Sequence, residues 1–266
     1  MRVAFIGDVH GHERELIALI QALEDHGVDR IVSLGDLLDR GPRSIACLRI
    51  MRDWEFTTRD GVSRRFEMIQ GNHEDAYLRV FDQVPKPGRV GIETPEDRKL
   101  SASLSREDEA FMRSLPVSLN IPELVVTAVH GGVTPHQETI DEFSLRVRYL
   151  GQRGNPLRST AHSRRFWADH YDGRFGLIVF GHESHSAPTL YENALALDGE
   201  GFRKLHGAVI SDERGDEWLR AWTIRYGERE AREVDVVDAP ERVHDRILRR
   251  TYSSALPGQL GLFGSR

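Results

Sequence analysis

Residues 3–11 read Val-Ala-Phe-Ile-Gly-Asp-Val-His-Gly, a short apolar run, then glycine, then an acid and an imidazole. An apolar run of this length bounded by glycine reads as a buried strand, and the polar residues after it as the loop at the strand's carboxyl end. The arrangement recurs four times. Ile31 to Leu34 precedes GDLLDRG, Phe66 to Ile69 precedes GNHE, Leu124 to Val129 precedes HGG, and Leu177 to Phe180 precedes GHESH. Between the first two runs, Arg14 to His26 carries Leu16, Ile17, Leu19, Ile20 and Leu23 at helical spacing, a stripe suited to covering a sheet. Strand, loop and helix alternate, which predicts an α/β fold. Ligands in such folds collect beyond the carboxyl ends of the strands, so five polar loops distant in sequence can converge on one cleft.

Further along, Pro85 to Arg98 is rich in Pro, Gly and charge and reads as an exposed insertion beside that cleft. From Ala194 the pattern turns strand-like, with Ala194 to Leu197, Lys204 to Ile210 and Trp218 to Tyr226 separated by Gly and Asp, which predicts a second sheet packed on the first. Ala239 to Thr251 reads as a short charged helix. One domain over 1–256 and a flexible tail over 257–266 are expected, since 266 residues with 39% apolar content suit one large core.

No apolar run approaches the ~18 to 20 residues that cross a bilayer, and the N-terminus lacks the pattern of a secretory signal. A cytoplasmic protein with no membrane partner is expected. The single cysteine, Cys47, excludes an intrachain disulfide and lies in the apolar run Ile45 to Ile50, where it reads as core. A net charge of −6 argues against nucleic-acid binding through bulk charge, although a local basic groove is compatible with it.

Asp8 and His10 stand two apart in an extended segment, so both side chains can reach one cation. Asp36 follows the second strand, and its two carboxylate oxygens can bridge two cations ~3.5 to 4 Å apart. Asn72, His130 and His182 complete the second cation. The mixture of oxygen and imidazole without thiolate favours Mn, with Fe or Zn as alternatives. A lone Asp-x-His is more often a turn than a ligand pair, but five such loops in one chain leave little room for coincidence. His12, His26, His136, His162, His170, His206 and His244 follow no ligand pattern, and most are expected at the surface.

With GDVHG, GDLLDRG, GNHE and HGG in order from Gly7 to Gly132, and the Gly181-His182 pair beyond, residues 2–210 resemble the calcineurin-like metallophosphoesterases, and within them the phosphoprotein (serine/threonine) phosphatase branch. The resemblance implies a β-sandwich flanked by helices, and two divalent metals on Asp8, His10, Asp36, Asn72, His130 and His182. Many members of the superfamily place a second histidine two residues after the last one, whereas here His182 and His185 are three apart. The phosphatase branch does without that second histidine, so His185 is not expected as a ligand. Asp198 resembles a later Asp-Gly element of the branch and is assigned a structural role.

In the chemistry this implies, water activated by the metals attacks phosphorus in line and no phosphoenzyme forms. His73, beside Asn72, is placed to protonate the leaving oxygen, and Asp39 to orient His73; the alternative for Asp39 is a helix N-cap. Arg40 can hold two phosphate oxygens at once, and Asn72 also faces the phosphate. Arg164 or Arg165, with Arg165 the choice, supplies a second clamp, because this branch places an arginine between HGG and GH; the plain alternative is a solvated basic stretch.

The leading substrate expectation is a phosphoprotein, cleaved by a bacterial-type serine/threonine phosphatase. The symmetrical dinucleoside-tetraphosphate hydrolases share the same motifs and are the first alternative. The tail residues Gln259, Leu260, Leu262 and Phe263 in QLGLF resemble a sliding-clamp-binding peptide, with Leu and Phe as anchors, which would shift the substrate toward DNA ends. A non-catalytic scaffold that only docks partners is the remaining reading.

Overall fold

The computed structural model of the chain describes residues 1–82, 95–157, 165–199, 203–213 and 216–239. In chain order the first half holds β1 (Arg2–Ile6), α1 (Glu13–Asp25), β2 (Arg30–Ser33), α2 (Ser44–Asp53), β3 (Glu55–Thr57), β4 (Ser63–Arg65), β5 (Glu67–Met68), α3 (Asn72–Phe81), α4 (Pro95–Ser103), α5 (Arg106–Ser114), β6 (Ser118–Ile121) and β7 (Val126–Val129). The second half holds β8 (Tyr149–Leu150), β9 (Pro156–Leu157), β10 (Leu177–Phe180), β11 (Thr189–Leu190), β12 (Ala194–Ala196), β13 (Lys204–Ser211), β14 (Leu219–Arg225), β15 (Arg232–Val234) and β16 (Val237–Asp238).

Two six-stranded sheets carry the architecture among the described residues, one ordered β15-β14-β13-β1-β2-β5 and the other β16-β11-β12-β10-β7-β6. Period-two alternation builds the sandwich. Val3 and Phe5 of β1 join Val126, Ala128, Leu177 and Val179 of the second sheet in one apolar cluster. The intervening Ala4 and Ile6 instead pack with Leu16, Leu19 and Leu23 of α1 and Cys47, Leu48 and Met51 of α2. On the outer side of the second sheet, Ile178, Phe180, Ala194 and Ala196 pack with Phe166, Trp167 and Tyr171. Both sheets are therefore apolar on both faces, which is why their strands read as continuous apolar runs and not as alternating ones. This is the expected β-sandwich flanked by helices.

The expected second sheet is corrected in its membership. β13 and β14 do not build it: β13 pairs antiparallel with β1, and β14 with β13, so both extend the first sheet. Of the three late runs only β12 joins the second sheet, parallel to β10. Strand character is a local signal, whereas β13's partner is set by the open edge of β1, opposite β2. Likewise Pro95 to Arg98 is not loop but the start of α4, where proline at the first helical position costs nothing. His206 departs from the surface expectation for its kind: it is fully buried in β13, with Nδ1 2.7 Å from Thr223 Oγ1 and Nε2 3.3 Å from the His185 carbonyl. Its parity with Ala208 turns it toward the second sheet.

Cys47 is buried and unpaired, and burial pushes its thiol up to about 12. No helix among the described residues is long and apolar enough to cross a membrane. Pro85 to Thr94 of the insertion, Arg164, His162, His244, the helix expected up to Thr251, the domain boundary at 256 and the tail with Gln259, Leu260, Leu262 and Phe263 lie outside the described residues.

Candidate metal centre

The parallel strands β1, β2 and β5 end beside the parallel pair β7 and β10, so the five loops meet at one end of the sandwich. Their backbones are tightly wound there. Six described non-glycine residues have positive φ, and five are His10, Asp36, Asp39, Arg40 and His182. Such conformations cost of order 1 kcal/mol or more each and persist where surrounding contacts over-determine them, typically at functional sites.

Two motif glycines are explained by close approach. A Cβ on Gly71 would lie 2.2 Å from Asp36 Oδ1, and one on Gly181 would lie 2.0 Å from Asp8 Oδ1. Each glycine makes room for a carboxylate from another loop. Cross-loop hydrogen bonds complete the frame: the His182 N–H donates to Asp8 Oδ2 at 3.0 Å, and the His73 N–H to Asp36 Oδ1 at 2.9 Å.

Two groups of potential ligand atoms share Asp36: His10, Asp36 and His73 in one, Asp36, His130 and His182 in the other, the atoms of each lying within 4.8 Å of one another. His10 Nε2 is 3.9 Å from Asp8 Oδ2 and 3.8 Å from Asp36 Oδ2. His130 Nε2 is 3.0 Å from Asn72 Oδ1 and 3.3 Å from Asp36 Oδ2. Asp8, His10, Asp36, Asn72, His130 and His182 are all buried. The structure thus brings together all six residues singled out as ligands.

The donor set fits cations. His10 Nδ1 donates to the Leu38 carbonyl at 2.8 Å and His130 Nδ1 to the Leu34 carbonyl at 2.7 Å. With Nδ1 occupied in this way, Nε2 of each ring is the atom turned to the Asp36 carboxylate. His10 Nε2 and His182 Nδ1 are buried and make no hydrogen bond. Buried polar atoms without partners are costly, and a bound metal ion would accept the lone pairs of such ring nitrogens. Burial, with Asp198 and Asp36 close by, holds the Asp8 carboxyl well above the usual range. Burial also presses on Asp36, but His130 and His73 pull it well below. Burial lowers His10 to about 3 and, aided by His130 and Arg148, takes His182 well below an ordinary histidine.

Beside this cluster, His73 Nδ1 lies 2.5 Å from Asp39 Oδ2 and His73 Nε2 3.7 Å from Asp36 Oδ2. Burial would lower His73, but Asp36 and the Asp39 hydrogen bond outweigh it and raise the imidazole. Asp39 caps no helix; the N-cap of α2 is Arg43. Arg40, next in chain, is exposed, and its charge acts on Asp8 and Asp198. Arg165 contacts the Gln152 carbonyl at 3.3 Å and His170 at 3.4 Å. Arg148, which the sequence pattern did not single out, is joined to a ligand loop: Nη2 donates to the His182 carbonyl at 2.7 Å. His185 contacts the Glu183 carbonyl and the Tyr191 hydroxyl, away from the cluster.

A further residue escaped the sequence reading. Glu74, the last residue of GNHE, is fully buried and accepts backbone N–H groups from Asp36, Leu37 and Gly71. Its signal was present, since an acid two residues beyond a ligand at a helix start suits a cap. Asp198, assigned a structural role, is buried beside the cluster, takes a hydrogen bond from Ser184 Oγ at 3.1 Å, and its charge acts on Asp8.

A family model described as calcineurin-like phosphoesterase matches residues 1–220. The bis(5'-nucleosyl)-tetraphosphatase PrpE [asymmetrical] of Oceanobacillus iheyensis is 28% identical over 223 residues, covering 74% of this chain and 83% of the relative. The symmetrical bis(5'-nucleosyl)-tetraphosphatase of Cronobacter sakazakii is 32% identical over 139 residues, covering 51% of this chain and 44% of the relative. Among solved structures, one proposed to be a diadenosine tetraphosphatase superposes with a TM-score of 0.66 at 22% identity, covering 84% of this chain and 93% of the other. A cold-active protein tyrosine phosphatase variant gives 0.55 at 17% identity, covering 88% and 80%. At those identities the two structures bear on the fold alone.

Proposed function

The chain belongs to the calcineurin-like phosphoesterases, metal-dependent hydrolases of phosphate esters built around a dinuclear divalent site, and from that premise we propose that it hydrolyses a dinucleoside tetraphosphate. The observation that carries the phosphohydrolase chemistry is Asp36, whose buried carboxylate lies 3.8 Å from His10 Nε2 on one side and 3.3 Å from His130 Nε2 on the other. The substrate class is supported by the relatives matched over more than four-fifths of their own length, which bear the asymmetrical tetraphosphatase name.

Two cations, with Mn the proposed metal, held by Asp8, His10, Asp36, Asn72, His130 and His182, would supply Lewis-acid stabilisation of the phosphoryl oxygens and lower the pKa of a water toward neutrality. Arg40 binds non-bridging phosphate oxygens through its planar fork. Arg148, anchored on the His182 loop, is the better-placed second clamp than Arg165. The water oxygen forms the new P–O bond as the bridging P–O bond breaks, the departing oxygen takes the proton on His73 Nε2, and the water's proton passes to solvent. Asp39 holds His73 with Nδ1 occupied, so that Nε2 faces the site.

That same pair favours a second reading. A nucleotide leaves without much help from an acid, whereas a serine alkoxide needs one, so the His73–Asp39 pair suits a phosphomonoester of the phosphoprotein kind. The test is Mn-dependent turnover of diadenosine tetraphosphate, a phosphoserine peptide and end-phosphorylated single-stranded DNA, with product analysis and His73→Ala as control. AMP plus ATP from the tetraphosphate is the expected result and ADP alone would indicate symmetrical cleavage. Preference for the peptide selects the second reading, and preference for DNA would bring back the clamp-like tail. No turnover of any substrate with Mn, Fe or Zn overturns the enzymatic proposal.

A further inference from the structure

Tyr77 lies one helical turn beyond His73 on α3, so the two side chains project from the same face. Both reach the same carboxylate. His73 Nδ1 takes Asp39 Oδ2 at 2.5 Å, and the Tyr77 hydroxyl donates to Asp39 Oδ1. Asp39 comes from a loop in which both it and Arg40 have positive φ, at 68° and 66°. Side chains other than glycine adopt that backbone only when held. Tyr77 is almost fully buried, at 1% exposure, within the cluster that also contains Leu37 and Leu38.

We infer that Tyr77 is a positioning residue for the protonation of the leaving group: by occupying the second oxygen of Asp39 it fixes the carboxylate against rotation and thereby fixes the direction of His73 Nε2. The proposal rests on the reading of His73 as the acid. A carboxylate bonded through one oxygen turns about its own axis and carries the imidazole with it; one bonded through both, to two groups on a single helix, does not. The arrangement closes a ring of α3 backbone, His73, Asp39 and Tyr77. Because the phenol is buried, its hydrogen bond to Asp39 would be lost if Asp39 moved, so each member holds the others.

A residue acting only through fold stability would lower turnover of all substrates alike. A residue acting through the acid is felt most where the leaving oxygen most needs a proton. Phenyl phosphate and p-nitrophenyl phosphate, measured on the Mn-loaded protein, separate the two cases. Tyr77→Phe is expected to lower kcat about 10-fold on phenyl phosphate, the loss typical of a residue behind a ligand or acid, with little change on p-nitrophenyl phosphate and KM unchanged on both. His73→Ala should show the same asymmetry more strongly. In Asp39→Ala the additional change Tyr77→Phe should cost nothing further, since coupled residues are non-additive. Equal losses on both substrates, or an additive double variant, overturn the inference. If His73→Ala shows no asymmetry, the acid assignment falls and the inference with it; if only Tyr77→Phe lacks it, the inference falls alone. Should Tyr77→Phe not fold by circular dichroism, 3-fluorotyrosine at 77 replaces it. Its altered hydroxyl acidity must change the phenyl to p-nitrophenyl rate ratio in the wild-type background and not in Asp39→Ala, and no change in either is again a refutation.

Discussion

Glu74 holds the backbone of Asp36: Oε2 accepts the Asp36 N–H at 2.8 Å and the Gly71 N–H at 3.0 Å, while Oε1 accepts the Leu37 N–H at 2.9 Å. Asp36 sits at a φ of 53°, so the carboxylate shared by the two groups of potential ligand atoms depends on a strained turn that this buried acid braces. Glu74→Gln would set an amide donor against N–H donors. A loss of about 2–4 kcal/mol is expected, in the range for breaking a buried hydrogen-bond network, together with weaker metal binding. Urea unfolding of the metal-free protein gives the first number and metal titration the second. Stability within about 1 kcal/mol of wild type would mean that Glu74 does not brace the turn.

The buried, unpartnered His10 Nε2 and His182 Nδ1 predict that metal stabilises the fold. A ligand binding only the folded state at 100 times its Kd adds about 2.7 kcal/mol, which for a domain of this size is roughly 5–10 °C in Tm. Chelation should lower Tm by that order and added Mn restore it. His182→Ala should retain less than the full pair of cations. Equal Tm with and without metal would remove the ground for calling these residues ligands.

The strands and the ligand loops were legible in the sequence because both are local signals: an apolar run between glycines, and polar residues held at fixed distances beyond it. What was not legible depends on partners far along the chain. The run Lys204 to Ile210 announces a strand, but only the open edge of β1 decides that it joins the first sheet. Arg148 and Arg165 are alike as residues, and only the folded path of the segment after Ser144 sets Arg148 against the His182 carbonyl. Tyr77 carries no motif at all; its bond to Asp39 exists because α3 starts at Asn72 and turns once.

Asp108 predicts a pH dependence away from the metal cluster. Its side chain is fully buried, pairs with Arg49 at 2.8 Å and Arg52 at 2.6 Å, and caps α5 through the Ser105 N–H at 2.9 Å. Burial alone would raise this carboxyl, but the hydrogen bonds from Arg49 and Ser105 bring it below the ordinary value. A depressed acid stabilises the fold above its unfolded pKa, and that contribution is lost as pH falls through the folded pKa. Asp108→Asn should therefore cost about 2 kcal/mol at pH 7, and the gap to wild type should narrow below about pH 4. Urea unfolding of both metal-free proteins at the two pH values checks this, and a gap independent of pH would show that the ionised carboxylate contributes nothing.

Arg148 and Arg165 make opposite predictions for substrate binding. Arg148 Nη2 is tied to the His182 carbonyl and Nε lies 3.3 Å from Glu183 Oε2, which places its guanidinium at the edge of the ligand cluster. Arg165 is turned to Gln152 and His170. A polyphosphate carries charge beyond the phosphorus attacked, and a fork-shaped cation at the rim can hold two of its oxygens. Arg148→Ala is expected to raise KM for diadenosine tetraphosphate about tenfold, a loss of about 1.4 kcal/mol, with kcat changed less. Arg148→Lys should restore little, because an ammonium cannot hold two oxygens in that geometry. Arg165→Ala should stay within about twofold of wild type, as expected of a half-buried residue turned to the Gln152 carbonyl and His170. If the Arg165 variant shows the large KM effect and the Arg148 variant does not, the clamp lies where the family pattern first suggested, and the hydrogen bond to His182 is structural.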